Sequence, residues 1–332
     1  MTVSDIFVSV IAQVHNDEKI LDAFIDETIT VLRMNYTNFE LVLIDDGSED
    51  SSVEVIAEKL NQHGCIRLIR LSRKFGEETS IIVGLDSAIG DYVVVLSPNS
   101  DPPVIIPKMV ELCRNGLGIV IGVRENRAGE PAWLRAGANL FYWYMRKVLG
   151  INIPKNSTMF RVFSRQAVNA ITNVRDRYRY IRMVSTYVGY PQQAYKYDLI
   201  NRSGKLRQRT FWQATSTAVD MIVVNSVHPL RVVSALGLIA SILNLISILY
   251  VILVYLLNPH VAAGWTTTNL ENALMFFFVF VILSVLSEYI GRILEESRHR
   301  PLYYILEEMN SSVMLANTQR RNITGQFPEK EG

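Results

Sequence analysis

A long stretch without charge decides much of this chain's architecture. Residues 232–257 contain no Asp, Glu, Lys or Arg. At about 1.5 Å per residue, a helix over that stretch would be roughly 39 Å long, enough to cross a hydrocarbon layer of about 30 Å. A second run, residues 272–290, is apolar apart from Glu288. The segment between them, NPHVAAGWTTTNLE, is too short for a domain and has no Lys or Arg. A core helix of this length would ordinarily show a polar face, whereas 232–257 carries only scattered Ser and Asn. The two runs therefore predict a hairpin of spanning helices. Lys205, Arg207, Arg209 and Arg231 precede the first run, and Arg292, Arg298 and Arg300 end or follow the second. This bias places both termini on the cytoplasmic side of an inner (cytoplasmic) membrane, in a multi-pass topology. Glu288 is costly against lipid and is expected to pair with Arg292, one helical turn on.

The rest of the chain narrows the class further. Its 332 residues suit about two domains. A net charge of +1 argues against a chain dominated by nucleic-acid binding. Cys65 and Cys113 fit no CxxC spacing and can make at most one disulfide, which excludes a disulfide-built scaffold. The five histidines show no HExxH or paired spacing. The N-terminal MTVSDIFVSVIAQVHNDEK lacks a basic leader and reads as a first strand rather than a signal peptide.

Residues 1–200 alternate two patterns. Short β-branched runs at 7–12, 39–44, 66–71, 92–96 and 119–123 predict strands; 19–32, 52–61, 77–88 and 103–114 have helical character. Strands alternating with helices predict an α/β fold, a mainly parallel sheet with helices on both faces. The glycine pattern GxGxxG is absent after the first strand, so a dinucleotide fingerprint is excluded. In such sheets ligands bind beyond the carboxyl ends of the strands. The segments there are polar: Gln13-Val-His15-Asn16-Asp17-Glu18, Asp45-Asp46-Gly47-Ser48, Ser72-Arg73-Lys74-Phe75-Gly76-Glu77, Ser97-Pro98-Asn99-Ser100-Asp101, and Arg124-Glu-Asn-Arg127-Ala-Gly129-Glu130. Acids there can accept hydrogen bonds from a nucleobase or ribose, and cations can balance a diphosphate. Taken singly, Asp45-Asp46-Gly47-Ser48 reads better as a turn and N-cap; five such segments together point to a ligand site.

In order along the chain, FELVLIDDGSEDSS, IRLIRLSRKFGEETSIIVGLDSAIGDYVV, DPPVIIPKMVE, MFRVFSRQAVNAI, YIRMVSTYVGY and SEYIGRILEESRHRPLYY resemble family 2 glycosyltransferases that make polyprenyl-phosphate sugars. The bactoprenol glucosyl transferases and dolichyl-phosphate mannose synthases are the types concerned, and the likeness runs from about Val8 to Tyr304. It implies a GT-A-like fold with a C-terminal two-helix transmembrane hairpin. It also implies transfer of a sugar from a nucleotide-diphosphate donor (a UDP-sugar favoured) to a polyprenyl phosphate, in a homo-tetramer. By position it assigns Asp46 to the base, with Gln13, His15 and Asp17 lining the nucleoside and Arg73 and Lys74 near the nucleotide. It assigns Arg124, Arg127 and Arg135 to the acceptor phosphate. The stretch RSGKLRQRTFWQATSTAVDMIVVNSV, with Lys205 and Arg207, is a basic approach to the membrane that suits phosphate or anionic headgroups. The implied organisation is a cytoplasmic nucleotide-sugar domain over 1–200 and a juxtamembrane segment over 201–230. The hairpin takes 231–292 (helices at about 232–257 and 272–290), and a cytoplasmic segment and tail takes 293–332.

Two departures from the family pattern bear on chemistry. The family's acidic pair for Mg²⁺ or Mn²⁺ is replaced, leaving Asn99 and Asp101 as the remaining ligand candidates and Asp101 as the remaining catalytic carboxylate. The family's base Asp is Met159, and a thioether cannot accept a proton. An acceptor phosphate is already anionic, and Arg73, Lys74 or Arg124 can supply positive charge in place of a metal. The alternative is a catalytically impaired relative that binds nucleotide-sugar or serves as an assembly partner.

Overall fold

The computed structural model describes residues 4–125, 132–147, 154–174, 180–204, 264–297 and 302–311, together with 237, 239, 242, 243 and 246. The chain divides into two units, Met1–Phe211 with Pro301–Gly332, and Trp212–Arg300.

The first unit is built on one sheet. β1 (Ser4–Val14), β2 (Tyr36–Asp45), β3 (Ile66–Leu71) and β4 (Tyr92–Leu96) run parallel in the order β4-β1-β2-β3. Each is apolar on both sides, as a strand covered on both faces must be. Val8, Val10 and Ala12 face one core, against α1 (Glu18–Asn35), α2 (Ser52–Gln62) and α4 (Ile106–Arg114). Ile11, Val42 and Ile69 face the other, against α3 (Glu77–Ser87), α6 (Arg165–Thr172) and α7 (Ile181–Tyr187). Burial of each such Val, Leu or Ile side chain contributes about 1.5–3 kcal/mol. Pro103 opens a 3₁₀ turn before α4, where its missing N–H costs nothing. β5 (Ile119–Arg124), α5 (Ala132–Lys147), β6 (Ser157–Ser164) and β7 (Gln192–Tyr197) complete this part.

The sheet is mixed. Its order is β7-β5-β6-β4-β1-β2-β3-β8, eight strands in all. β6 runs antiparallel to both β4 and β5, and β8 (Ile305–Asn310) runs antiparallel to β3. β8 lies in the stretch read from sequence as a C-terminal segment, where nothing alternates strongly enough to announce a strand. It is held by Arg67, only 2% exposed. The Arg67 guanidinium donates to Glu40 (3.1 Å), the Ser87 carbonyl (3.0 Å), Glu308 (2.8 Å) and Asn310 (3.3 Å). Cys65 and Cys113 are free thiols.

In the second unit α8 runs from Trp265 to Ser297. Its described side chains come in broken stretches, those of Phe280, Ser284, Glu288 and Arg292 lying outside the description. Among the described residues no helix is long and apolar enough to cross a membrane. The first expected span falls outside the described residues except at 237, 239, 242, 243 and 246, which are helical. The expected Glu288–Arg292 pair also falls outside. At Gly237 a Cβ would come within 2.8 Å of Ile282 Cδ1, so glycine allows this helical position to approach α8 closely.

Candidate functional site

The parallel strands deliver their polar ends to one rim, where a cleft of about 500 Å³ opens beyond β1, β2 and β3. After β1, Asn16 takes a positive φ of 56° and reverses the chain into α1. The Asp17 carboxylate accepts the His15 N–H (3.1 Å), which fixes this turn. After β2, Gly47 has φ 68°, and a Cβ there would meet Lys74 N at 2.8 Å. Glycine therefore lets the β2 loop lie against the Arg73–Lys74 backbone.

His15, Arg73 and Lys74 line the cleft. Lys74 Nζ donates to His15 Nε2 at 2.8 Å. An ammonium only donates, so in this contact the imidazole nitrogen is the acceptor. Arg73 stacks over the Phe75 ring, 4.9 Å from its centroid.

Asp46 does a different job from the one expected of it. It is fully buried, and its carboxylate accepts Phe75 N (2.6 Å), Gly76 N (2.9 Å) and Gln13 Nε2 (3.0 Å). Asp46 and Gln13 thus fasten the loop that leads into α3 and stand behind the cleft rather than on its wall. Asp17 likewise shapes a turn. The neighbouring Asp45, itself only 1% exposed, is among the lining residues; it accepts Ser48 N (3.1 Å) and lies 3.8 Å from Arg70 Nε. Arg70 and Leu306 are lining residues that the sequence reading missed, and Asp45, within one of the polar strand-end segments, has no role of its own in that reading. Asp45 has a local signal, since adjacent acids at a strand end point to opposite sides. Leu306 has none, because β8 arrives from more than two hundred residues away.

The second group of expected residues sits beyond β4. Asn99 Oδ1 accepts the Ser203 N–H (2.9 Å). Asp101 is buried; its oxygens accept Ser97 N (2.8 Å) and the Tyr197 hydroxyl (2.6 Å), and Tyr197 also bonds Thr158 Oγ1 (2.8 Å). Burial pushes the Asp101 carboxyl up to about 6, against the pull of the Tyr197 and Ser97 hydrogen bonds. Burial, then Asp101, also raises the Tyr197 hydroxyl far above its usual value. Arg202 closes the loop from outside, donating to the Pro98 carbonyl (2.6 Å) and pairing with Glu27. Asn99 and Asp101 are therefore spent within the protein. Among the described residues no group of three or more His, Cys, Asp or Glu side chains is placed to hold a metal ion. The expected cation site does not fit the residues present, since Asn99 and Asp101 already have these protein partners.

Of the expected acceptor-phosphate positions, Arg124 ends β5 half-buried. Arg127 and Lys205 lie outside the described residues, as does the side chain of Arg135 in α5.

Residues 9–172 match the model for glycosyl transferase family 2. The chain is 28% identical over 298 residues to the uncharacterized glycosyltransferase YkcC of Bacillus subtilis, covering 90% of this chain and 92% of that one. It is 27% identical over 322 residues to undecaprenyl-phosphate 4-deoxy-4-formamido-L-arabinose transferase of Pectobacterium carotovorum, covering 94% and 97%. With the bactoprenol glucosyl transferase of Shigella phage SfV it shares 26% identity over 302 residues, covering 91% and 98%. Glucosyl-3-phosphoglycerate synthase from Mycobacterium tuberculosis, solved with Mn²⁺, UDP and phosphoglyceric acid, gives a TM-score of 0.46 at 16% identity over 66% of this chain and 77% of that one. Over residues 9–172, then, the chain carries a glycosyl transferase family 2 domain.

Proposed function

We propose that this chain moves a sugar from a nucleoside diphosphate donor, a UDP-sugar in the first instance, to a polyprenyl phosphate at the cytoplasmic face of a membrane. The cleft carries this reading: Asp45 and Arg70 stand on one wall, with Arg73, Lys74 and His15 beside them. Asp45 is suited to accept from a base or ribose, and the cations to neutralise a diphosphate. Gln13, Asp17 and Asp46 hold the loops that present these groups. Arg73 and Lys74 take up the charge of the departing nucleoside diphosphate. The acceptor is already an anion and attacks without a base, which agrees with Met159 standing on β6. Arg124, Arg127, Arg135 and Lys205 are assigned to the acceptor side, and the assembly to a homo-tetramer.

The acceptor class draws support from the named relatives, and the membrane placement from the second unit. Phe276, Val279, Leu283, Leu286, Ile290 and Ile293 are exposed at alternating spacings of three and four, one apolar stripe along α8. Ile239, Ile242, Leu243 and Ile246 are exposed as well. Such a surface suits lipid, and the close approach at Gly237 suits a hairpin at 231–292 with both termini cytoplasmic.

A second reading, a relative that binds nucleotide-sugar without transferring it, is favoured by one observation: Asn99 and Asp101 are engaged within the protein. Radiolabelled sugar transfer to a polyprenyl phosphate, with EDTA or added Mn²⁺, separates the two. Transfer from a UDP-sugar is the expected result, and the EDTA arm reads any contribution of a divalent ion. Nucleotide binding without transfer from any common donor establishes the second reading. A chain that binds no nucleoside diphosphate refutes both.

A further inference from the structure

β6 lies between β4 and β5, with Arg161 opposite both Val95 and Ile121. Strand alternation sends Phe160 and Val162 to one core and Met159, Arg161 and Phe163 to the other. An arginine thus stands in an apolar row with none of its surface exposed. Its Nη1 donates to the Ile181 carbonyl (2.9 Å) and to Ser185 Oγ, while Nε and Nη2 are buried without a partner. A buried guanidinium in that condition is costly.

A second arginine is beside it. Arg182, in the first turn of α7, is half-buried, and its guanidinium makes one hydrogen bond among the described residues, from Nε to Met159 Sδ at 3.4 Å. A thioether is a weak acceptor and carries no charge. The acid whose charge reaches both arginines is Glu78, which accepts the Ile181 N–H at 2.8 Å. Tyr142 of α5 is the remaining titratable group acting on Arg161. Two cations thus face one carboxylate. The imbalance shows in Arg161, which burial first and Arg182 second bring down to about 9. The register puts Met159 two residues from Arg161 toward the carboxyl ends of β4 and β5, the rim that also bears the donor cleft.

We propose that Arg182, backed by the buried charge of Arg161, is an oxyanion site that takes the phosphate monoester of the acceptor lipid. The proposal rests on the glycosyl-transfer reading and adds a contact beyond Arg124, Arg127, Arg135 and Lys205. Met159 is part of the device: a neutral side chain at that position leaves the charge of both arginines for the ligand. Arg161 acts as a positioning residue through Ile181 and Ser185, whereas Arg182 touches the phosphate.

The test measures binding directly, so it does not depend on turnover. The full chain in detergent is titrated with inorganic phosphate, with a short polyprenyl phosphate and with the matching uncharged polyprenol; UDP binding reports the donor cleft. Arg182→Gln should weaken both phosphates about tenfold, the loss of one charge-assisted contact, and leave polyprenol and UDP unchanged. Arg182→Lys, which keeps the charge, should recover part of the loss. Met159→Asp should also weaken both phosphates, whereas an acid needed as a base would raise transfer when restored there. A loss confined to the lipid phosphate identifies the headgroup in its membrane setting; a loss for both identifies phosphate alone. If Arg182→Gln and Met159→Asp leave both phosphates within twofold while UDP binds normally, the proposal is wrong. Loss of UDP binding by the unmodified chain would instead overturn the donor reading.

Discussion

Asp101→Asn isolates the cost of a buried acid. Asp101 is only 1% exposed, and burial raises its carboxyl from 3.8 to about 6. Below pH 3.8 the group is protonated in folded and unfolded chains alike, and burial costs nothing through ionisation. Between that pH and about 6 the unfolded chain releases the proton while the folded one keeps it, so stability falls as pH rises. Each pH unit in that window costs about 1.4 kcal/mol, so the loss reaches about 3 kcal/mol and stays constant above it. Asparagine does not titrate. Its Oδ1 can still accept from Ser97 N, and its amide can donate to Tyr197, whose own proton then turns to Thr158. Denaturant unfolding of both proteins in detergent at pH 4 and pH 8 reads the difference. The stability of Asp101→Asn relative to the unmodified chain should rise by about 2.4 kcal/mol from the acid to the alkaline measurement, because at pH 4 the unfolded chain has already begun to release the proton. Other titrating groups, Glu78 among them, cancel in that comparison. A gap that moves by less than about 0.5 kcal/mol would show that the folded chain does not hold the Asp101 proton, and the argument from burial would fail.

Three further outcomes follow from the structure. Arg67→Met strips the cation from Glu40, which keeps only Ser9 Oγ (2.5 Å) and Ile89 N (2.9 Å), and should destabilise the first unit by about 3–5 kcal/mol in denaturant unfolding. Glu308→Gln, at a carboxylate 38% exposed, should cost about 1 kcal/mol or less in the same measurement. Gly47→Ala forces a side chain into a φ of 68° and against Lys74 N, and should weaken calorimetric UDP-sugar binding about tenfold or more by moving the Arg73–Lys74 segment.

What the sequence reveals and what it hides divide along physical lines. β3 and β4 begin and end at the expected residues, and β1, β2 and α1 run only a few residues past them. These elements are covered on both faces, so their own apolar content suffices to mark them. β6 carries the same apolar content, yet its antiparallel placement depends on β4 and β5, which no local pattern can report. The site divides the same way. Positive side chains after a strand read directly as a cleft, and Arg73 and Lys74 are there. Which of two adjacent acids lines the cleft depends on the loop opposite: the Phe75 and Gly76 amides claim Asp46, while Asp45, also buried, is among the lining residues. β8 is the extreme case. Its residues are mostly exposed, and it is held by Arg67 and by the Ser72 N–H to the Tyr304 carbonyl (2.9 Å). Because Leu306 on that strand is part of the cleft, the wall stays open until the residues following α8 have been made and have paired with β3. Completion of the cleft is thereby tied to completion of the chain beyond α8. A truncation just after α8 would remove a cleft wall while leaving every residue of β1, β2 and β3 in place.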